Sequence, residues 1–327
     1  MYYLVAVSLL FTVLLTIGIV AASTFSLVGR LLDSYGERFS ANTRVSLLFW
    51  LRVLPLLIAA VAVFAFVLPA FFLYEPHEPQ ETVGIKLAAV IFVAMAGLTF
   101  ALFRLFGSWW RTRRLRTMWG RNATRTTLEG VSLPVYRLDN SFPVFAVVGV
   151  LRPRIYIAEP IFETLDADEI AAVVKHELGH TTAHHNLKRL LMQLSSDVLV
   201  APVGHSLDRS WSEAAEEAAD EFAAATGGRQ TAVDLAAALI KIARIIPDKP
   251  APAMPAVSYV LNGELLAARV RRLLLLADRD APSMSSTHWS SLIVLILAVV
   301  FIAVFATNHL FLARIHDISE SLLAFLQ

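Results

Sequence analysis

The chain has 327 residues, 57% of them hydrophobic, with a mean hydropathy of +0.62, a formal net charge of +1 and no cysteine. That composition excludes a soluble domain of ordinary make-up. The missing cysteine excludes disulfides and thiol catalysis, and it fits a reducing cytosol.

The first 106 residues predict three transmembrane helices, at about 3–29, 53–74 and 85–106. Each supplies about 20 apolar residues, enough for a hydrocarbon core of about 30 Å. The first carries no positive n-region and no short apolar core with a small-residue cleavage site, so it reads as a retained span rather than a signal peptide. The second lies between Arg52 and Glu75. The third is flanked by Lys86 and Arg104, which can snorkel to the interfaces.

Charge orients the spans. The first connection holds Arg30, Arg38 and Arg44; the second holds Glu75, Glu78 and Glu81; Arg104, Arg111, Arg113, Arg114, Arg116 and Arg121 follow the third span. Arg269, Arg271, Arg272 and Arg279 precede a fourth predicted helix at 289–313. The positive-inside rule then puts the N-terminus and the acidic loop outside and residues 107–288 in the cytosol. Trp50, Trp109, Trp110 and Trp289 fall near the predicted interfaces, as an aromatic belt does. Basic residues pressed against spans point to lipid headgroups rather than nucleic acid. The remaining 314–327 segment, with Ile315, Ile318, Leu322, Leu323 and Phe325, predicts a short extracytoplasmic amphipathic tail. Few charges fall inside the spans, which argues against a transporter or channel.

Residues 107–288 form the soluble domain. Arg111–Thr127 predicts a basic helix, and Val135–Leu138, Val144–Val150 and Arg154–Ala158 predict strands, the last two joined as a hairpin through Leu151-Arg152-Pro153. Such a sheet serves either as plain core or as an edge for an extended substrate. Asp166 with Glu169 makes a capping box that opens a helix whose apolar stripe is Ile170, Val173, Val174 and Leu178.

On that helix stands His176-Glu177-Leu178-Gly179-His180, an H-E-x-x-H pattern. Histidines four apart share one helical face and can reach one zinc ion at about 2.0–2.1 Å, with the glutamate between them as a base toward the attacking water. A catalytic zinc takes three protein ligands and leaves one position open. A third histidine ten residues after His176 is ruled out, because that position is Asn186. The third ligand is therefore a carboxylate from elsewhere. A second helix predicted at Trp211–Thr226, capped by Ser210 with Glu213 and ended by Gly227-Gly228, offers Glu216 and Asp220 on one face. One can bind the metal while the other holds a ligand histidine. Glu213, Glu217 and Glu221 compete on spacing. His184, His185 and His205 have no assigned role at this point.

The segments Val148–Ala158, L-D-A-D-E-I-A-A-V-V-K-H-E-L-G-H, His185–Leu191, Glu216–Glu221 and Arg269–Leu274 resemble the BlaR/MecR-type membrane metalloproteases, bacterial antibiotic-response signal transducers, and more distantly the HtpX and CAAX-protease type of gluzincin. The resemblance implies a membrane α-helical protein of four transmembrane helices with a cytosolic α+β gluzincin-type domain. It implies one Zn2+ per chain held by His176, His180 and Glu216, with Glu177 as general base and Asp220 behind a ligand. The family's Asp-Asn is here His185-Asn186. Its sensors carry a large domain after the last span, for which 314–327 is too short. The expected activity is zinc endopeptidase in a bacterial inner membrane, with both termini outside. The expected partners are the bilayer and a protein substrate, either a transcriptional repressor or a membrane protein, with a separate sensor subunit or a second copy of the chain beside it. The competing expectation is a signal-transducing subunit that is non-catalytic or cleaves only itself.

Overall fold

The computed structural model describes residues 2–33, 39–75, 84–121, 123–128, 131, 133–150, 152–200, 204–246, 263–278 and 299–326. Arg38, the loop 76–83, Leu151, Arg279 and the first part of the fourth predicted span, 289–298, lie outside them, as do the side chains of Leu323 and Phe325.

The protein is mostly helical. Three helices are long and apolar enough to cross a membrane: α1 (Tyr2–Asp33), α2 (Ala41–Tyr74) and α3 (Ile85–Arg121). α2 widens to a π-helix at Ala62–Val67, which ends two residues before Pro69. The wide turn answers a residue that lacks an N–H and whose ring crowds the carbonyl one turn back. α1 packs on α2 through Val5, Leu9, Val13, Val63, Val67 and Phe71. α3 turns Phe92 and Phe103 outward, 74% and 72% exposed, as a lipid-facing helix does.

The strands are β1 (Ala123–Thr126), β2 (Val135–Leu138), β3 (Phe145–Val148) and β4 (Arg154–Ala158), in the order β1-β2-β4-β3. β3 and β4 form the expected antiparallel hairpin, and β2 and β4 run parallel. The predicted helix Arg111–Thr127 instead ends at Arg121, and its last residues become β1, antiparallel to β2. Thr124 and Thr126 are β-branched and suit a pleated edge, and the pairing partner outweighs the helical pattern upstream. β4 is buried on both faces: Ile155 and Ile157 meet the main core, Tyr156 and Ala158 a smaller cluster beside Trp119.

The main core lies between the sheet and α4 (Glu159–Thr164), α5 (Ala167–Thr182), α7 (His205–Ile245) and α8 (Gly263–Asp278). α6 (His185–Val198) joins α5 to α7. α5 opens with the complete capping box, Glu169 N to Asp166 Oδ1 at 2.9 Å and Asp166 N to Glu169 Oε2 at 3.0 Å. α7 starts at His205 rather than Trp211, after Gly204 at φ 101°. The Ser210–Glu213 cap pattern therefore falls inside the helix, where Ser210 and Trp211 are buried. Gly228 does interrupt it, at φ 80° and ψ −173°, a conformation that costs only glycine little.

The described part of the fourth predicted span is a helix, α9 (Val299–Ala306), bent by 80° from α10 (His309–Leu326). The bend falls at Asn308, whose Oδ1 caps Phe311 N at 3.0 Å. Up to four spans result if the bent pair is one. On α10, Ile315 and Leu322 pack against the α1–α2 core while Ile318 is exposed.

Candidate metal centre

α5 and α7 cross at Gly179. A Cβ there would sit 3.2 Å from Ala219 Cα and 3.2 Å from Phe222 Cβ, so the glycine of the H-E-x-x-H run lets the two backbones approach. That approach carries Glu216 to the histidines. His176 Nε2 and His180 Nε2 are 3.2 Å apart, and the Glu216 carboxylate lies 3.5 Å from the first and 3.6 Å from the second. A tetrahedral ion with ligands at about 2.05 Å sets its neighbouring ligands about 3.3 Å apart. The three side chains therefore fit a divalent metal of zinc's size.

The far nitrogen of each imidazole also has a close polar neighbour. His176 Nδ1 lies 2.8 Å from Asp220 Oδ1. His180 Nδ1 lies 2.8 Å from His185 Nδ1. Asp220 is fully buried and receives a fork from α8: Arg269 Nε to Oδ2 at 3.0 Å and Nη2 to Oδ1 at 2.8 Å. Arg269 Nη1 also reaches Glu216 Oε2 at 3.1 Å. One guanidinium so fixes the candidate ligand and the carboxylate behind its neighbour.

Formal charge supports the same occupant. Glu177, Glu216 and Asp220 oppose one arginine, leaving two negative charges that a divalent cation cancels. In the metal-free state protons compensate in part. Burial would lower His176, but Asp220 and Glu216 outweigh it and raise its pKa to about 9. Burial would raise Glu216, yet His176, His180 and Arg269 hold it well below the usual carboxylate value. Asp220 is likewise lowered by Arg269 and His176 against burial. Burial raises Glu177, opposed by His180 and His176. A carboxylate with a raised pKa beside a metal centre is suited to take and return a proton. His185 is pulled down to about 3, by burial and then by His180.

The structure brings together His176, His180, Glu216 and Asp220, with Glu177 on the same helix. It separates the rivals: Glu217 pairs with Arg272 and with Arg44 at 3.5 Å, Glu221 with Arg272 at 2.6 Å, and Glu213 with Arg209 at 3.1 Å. His184 stands outside the cluster: α5 ends at Thr182 and His184 is exposed at φ 53°. His205 lies exposed beside Asp208. Arg269 and His185 are the members that spacing does not identify. The R-V-R-R run that reads as a basic flank turns Arg269 and Arg272 inward to carboxylates. A second convergent group among the described residues, Glu75, His316 and Glu320, joins the end of α2 to α10.

Residues 110–210 match the model of peptidase family M48. The match supports a gluzincin-type metallopeptidase, and M48 peptidases are metal-dependent, typically with zinc. It spans the strands, α5 with His176, Glu177 and His180, and α6, and it stops before Glu216, Asp220 and Arg269. No curated protein matches the chain in sequence.

Proposed function

We propose that the protein is an integral-membrane zinc endopeptidase whose catalytic domain faces the cytosol. The observation that carries the reading is the convergence, at 3.2, 3.5 and 3.6 Å, of two imidazole nitrogens from the helix that bears Glu177 with the Glu216 carboxylate of α7. His176, His180 and Glu216 would hold the ion, and a bound zinc would polarise the scissile carbonyl and acidify water. Glu177 takes the proton of the attacking water and returns it to the leaving nitrogen. Asp220 orients His176, and Arg269 fixes Asp220 and Glu216 together.

The cytosolic orientation rests on the asymmetry of arginines and glutamates between the connections. The bacterial inner membrane, and a substrate that is a DNA-binding repressor or a membrane protein cut near the inner leaflet, rest on the BlaR/MecR-like motifs alone. The test compares newly formed protein N-termini in cells carrying wild type or Glu177→Ala, with metal content measured in both. Fragments seen only with wild type support the reading and name the substrates. Identical termini with metal in both proteins turn the reading toward a signal-transducing subunit.

A further inference from the structure

The two candidate ligand histidines are backed by different chemistry. His176 faces a carboxylate, Asp220, at 2.8 Å. His180 faces a second imidazole, with Nδ1 to Nδ1 of His185 at 2.8 Å. His185 is 1% exposed and stands edge-to-face with Trp211 at 5.7 Å and 79°. Its place is built by the tight turn between α5 and α6, where His184 adopts φ 53° and returns the chain toward the last turn of α5. His185 Nε2 has no hydrogen-bond partner among the described residues.

Donor and acceptor roles follow from elementary chemistry. An imidazole that gives its Nε2 lone pair to a metal carries its proton on Nδ1 and can only donate there. The facing Nδ1 must then be bare, and the single ring proton of His185 sits on Nε2. We propose that His185 is the positioning residue of ligand His180: its bare Nδ1 accepts the His180 Nδ1–H and fixes the tautomer and ring angle that turn His180 Nε2 to the metal. The inference rests on the zinc-peptidase reading above.

An uncharged acceptor also suits the charge of the site. Glu177, Glu216 and Asp220 already balance Arg269 and a divalent ion. A fourth carboxylate at position 185 would leave one buried negative charge without a partner. A neutral nitrogen supplies the hydrogen bond without that charge. It would also donate less electron density through His180 than a carboxylate, so that a bound ion would be the stronger Lewis acid.

The experiment uses the full-length protein in detergent. Zinc affinity is measured by chelator competition, and the absorption bands of the Co2+-loaded protein report coordination geometry. His185→Phe keeps an aromatic ring against Trp211 and removes the acceptor; His185→Asn places an amide oxygen at the Nδ1 position. His185→Phe is expected to bind zinc roughly 10–100-fold more weakly with altered Co2+ bands, and His185→Asn to stay within about threefold of wild type. Three results overturn the proposal: His185→Phe matching wild type in affinity and spectrum; both variants losing affinity equally, which would assign His185 to packing; or Asn weakening binding more than Phe. In any of these three cases, a Glu216→Ala variant that loses the metal in the same series leaves the zinc reading standing while the proposal falls. If wild type itself binds neither Zn2+ nor Co2+, the zinc reading fails and the proposal fails with it.

Discussion

Asp220→Asn removes one charge from the most buried part of the site while keeping its volume. Asp220 is fully buried, its two oxygens take Arg269 at 2.8 and 3.0 Å, and Oδ1 also lies 2.8 Å from His176 Nδ1. The asparagine leaves the Arg269 guanidinium, with a side chain only 12% exposed, with Glu216 at 3.1 Å as its one remaining ion pair among the described residues. Breaking a buried pair by removing one partner costs about 3–5 kcal/mol; the surviving Glu216 contact puts the expectation near the low end, about 3 kcal/mol. In a domain of this size that is a fall in melting temperature of roughly 6–12 °C. Unfolding is followed in detergent with excess chelator, so that lost metal does not add to the effect. Zinc affinity, measured separately, should fall by roughly 10–100-fold, because His176 loses the carboxylate that orients it. Arg269→Met in the Asp220→Asn background should then cost less than it does alone, by at least about 1 kcal/mol, because the stranded charge is gone. A single variant melting within about 2 °C of wild type, or strictly additive substitutions, would refute the ion-pair account.

Three further outcomes follow from the same geometry. Gly179→Ala should push α5 from α7, cost about 1–3 kcal/mol of stability and lower metal occupancy; an unchanged occupancy by elemental analysis would mean the helices do not need that contact. Glu216→Ala should lose bound metal while Glu217→Ala, whose carboxylate already pairs with Arg44 and Arg272, keeps it; the reverse result would reassign the third ligand. His176, raised to about 9 without metal, carries a proton at neutral pH that the ion must expel. Apparent zinc affinity should therefore rise by about tenfold per pH unit between pH 6.5 and 8 and flatten above about 9; chelator competition giving a pH-independent constant would contradict the assignment.

What the sequence made legible is what is written within four or five residues. The Asp166–Glu169 box, the face shared by His176 and His180, the β3–β4 hairpin and the break at Gly228 are local patterns, and the structure contains each of them. What escaped is set by partners far along the chain. Ala123–Thr126 becomes a strand because β2 offers it a ladder. α7 begins six residues before the expected start at Trp211 because Leu207 and Trp211 have a helix to pack against. Arg269 lies 49 residues from Asp220 in sequence, and nothing in an R-V-R-R run tells an arginine that meets a carboxylate from one that meets a headgroup. The third-ligand ambiguity among the acidic residues of α7 was of the same kind. Basic partners on α2, α7 and α8 occupy the alternatives and leave Glu216 facing the histidines.

Composition divides the chain at about residue 107, yet the packing does not respect that line. The first turns of α2 carry Val45, Leu48, Phe49 and Val53 into a shared core with Met192 of α6 and Leu207, Trp211, Ala214 and Ala215 of α7. Arg52, which reads in sequence as the flank of a span, is 4% exposed and bonds Asp208 at 2.9 Å and Ser196 at 2.8 Å, while its carbonyl accepts from Ser195 at 3.0 Å. Arg104 of α3 reaches Asp197 at 2.8 Å. These contacts fall on the helix that presents Glu216 and on the helix that begins with His185. Trp211 touches both sides: it shares the core with Phe49, and its ring meets His185, which in turn meets His180. The membrane-side helices are thus one wall of the unit that carries the candidate metal centre. A fragment cut to 107–288 would expose that apolar face to water and strip the support behind Trp211, so the smallest unit able to hold the site in this geometry includes the first turns of α2.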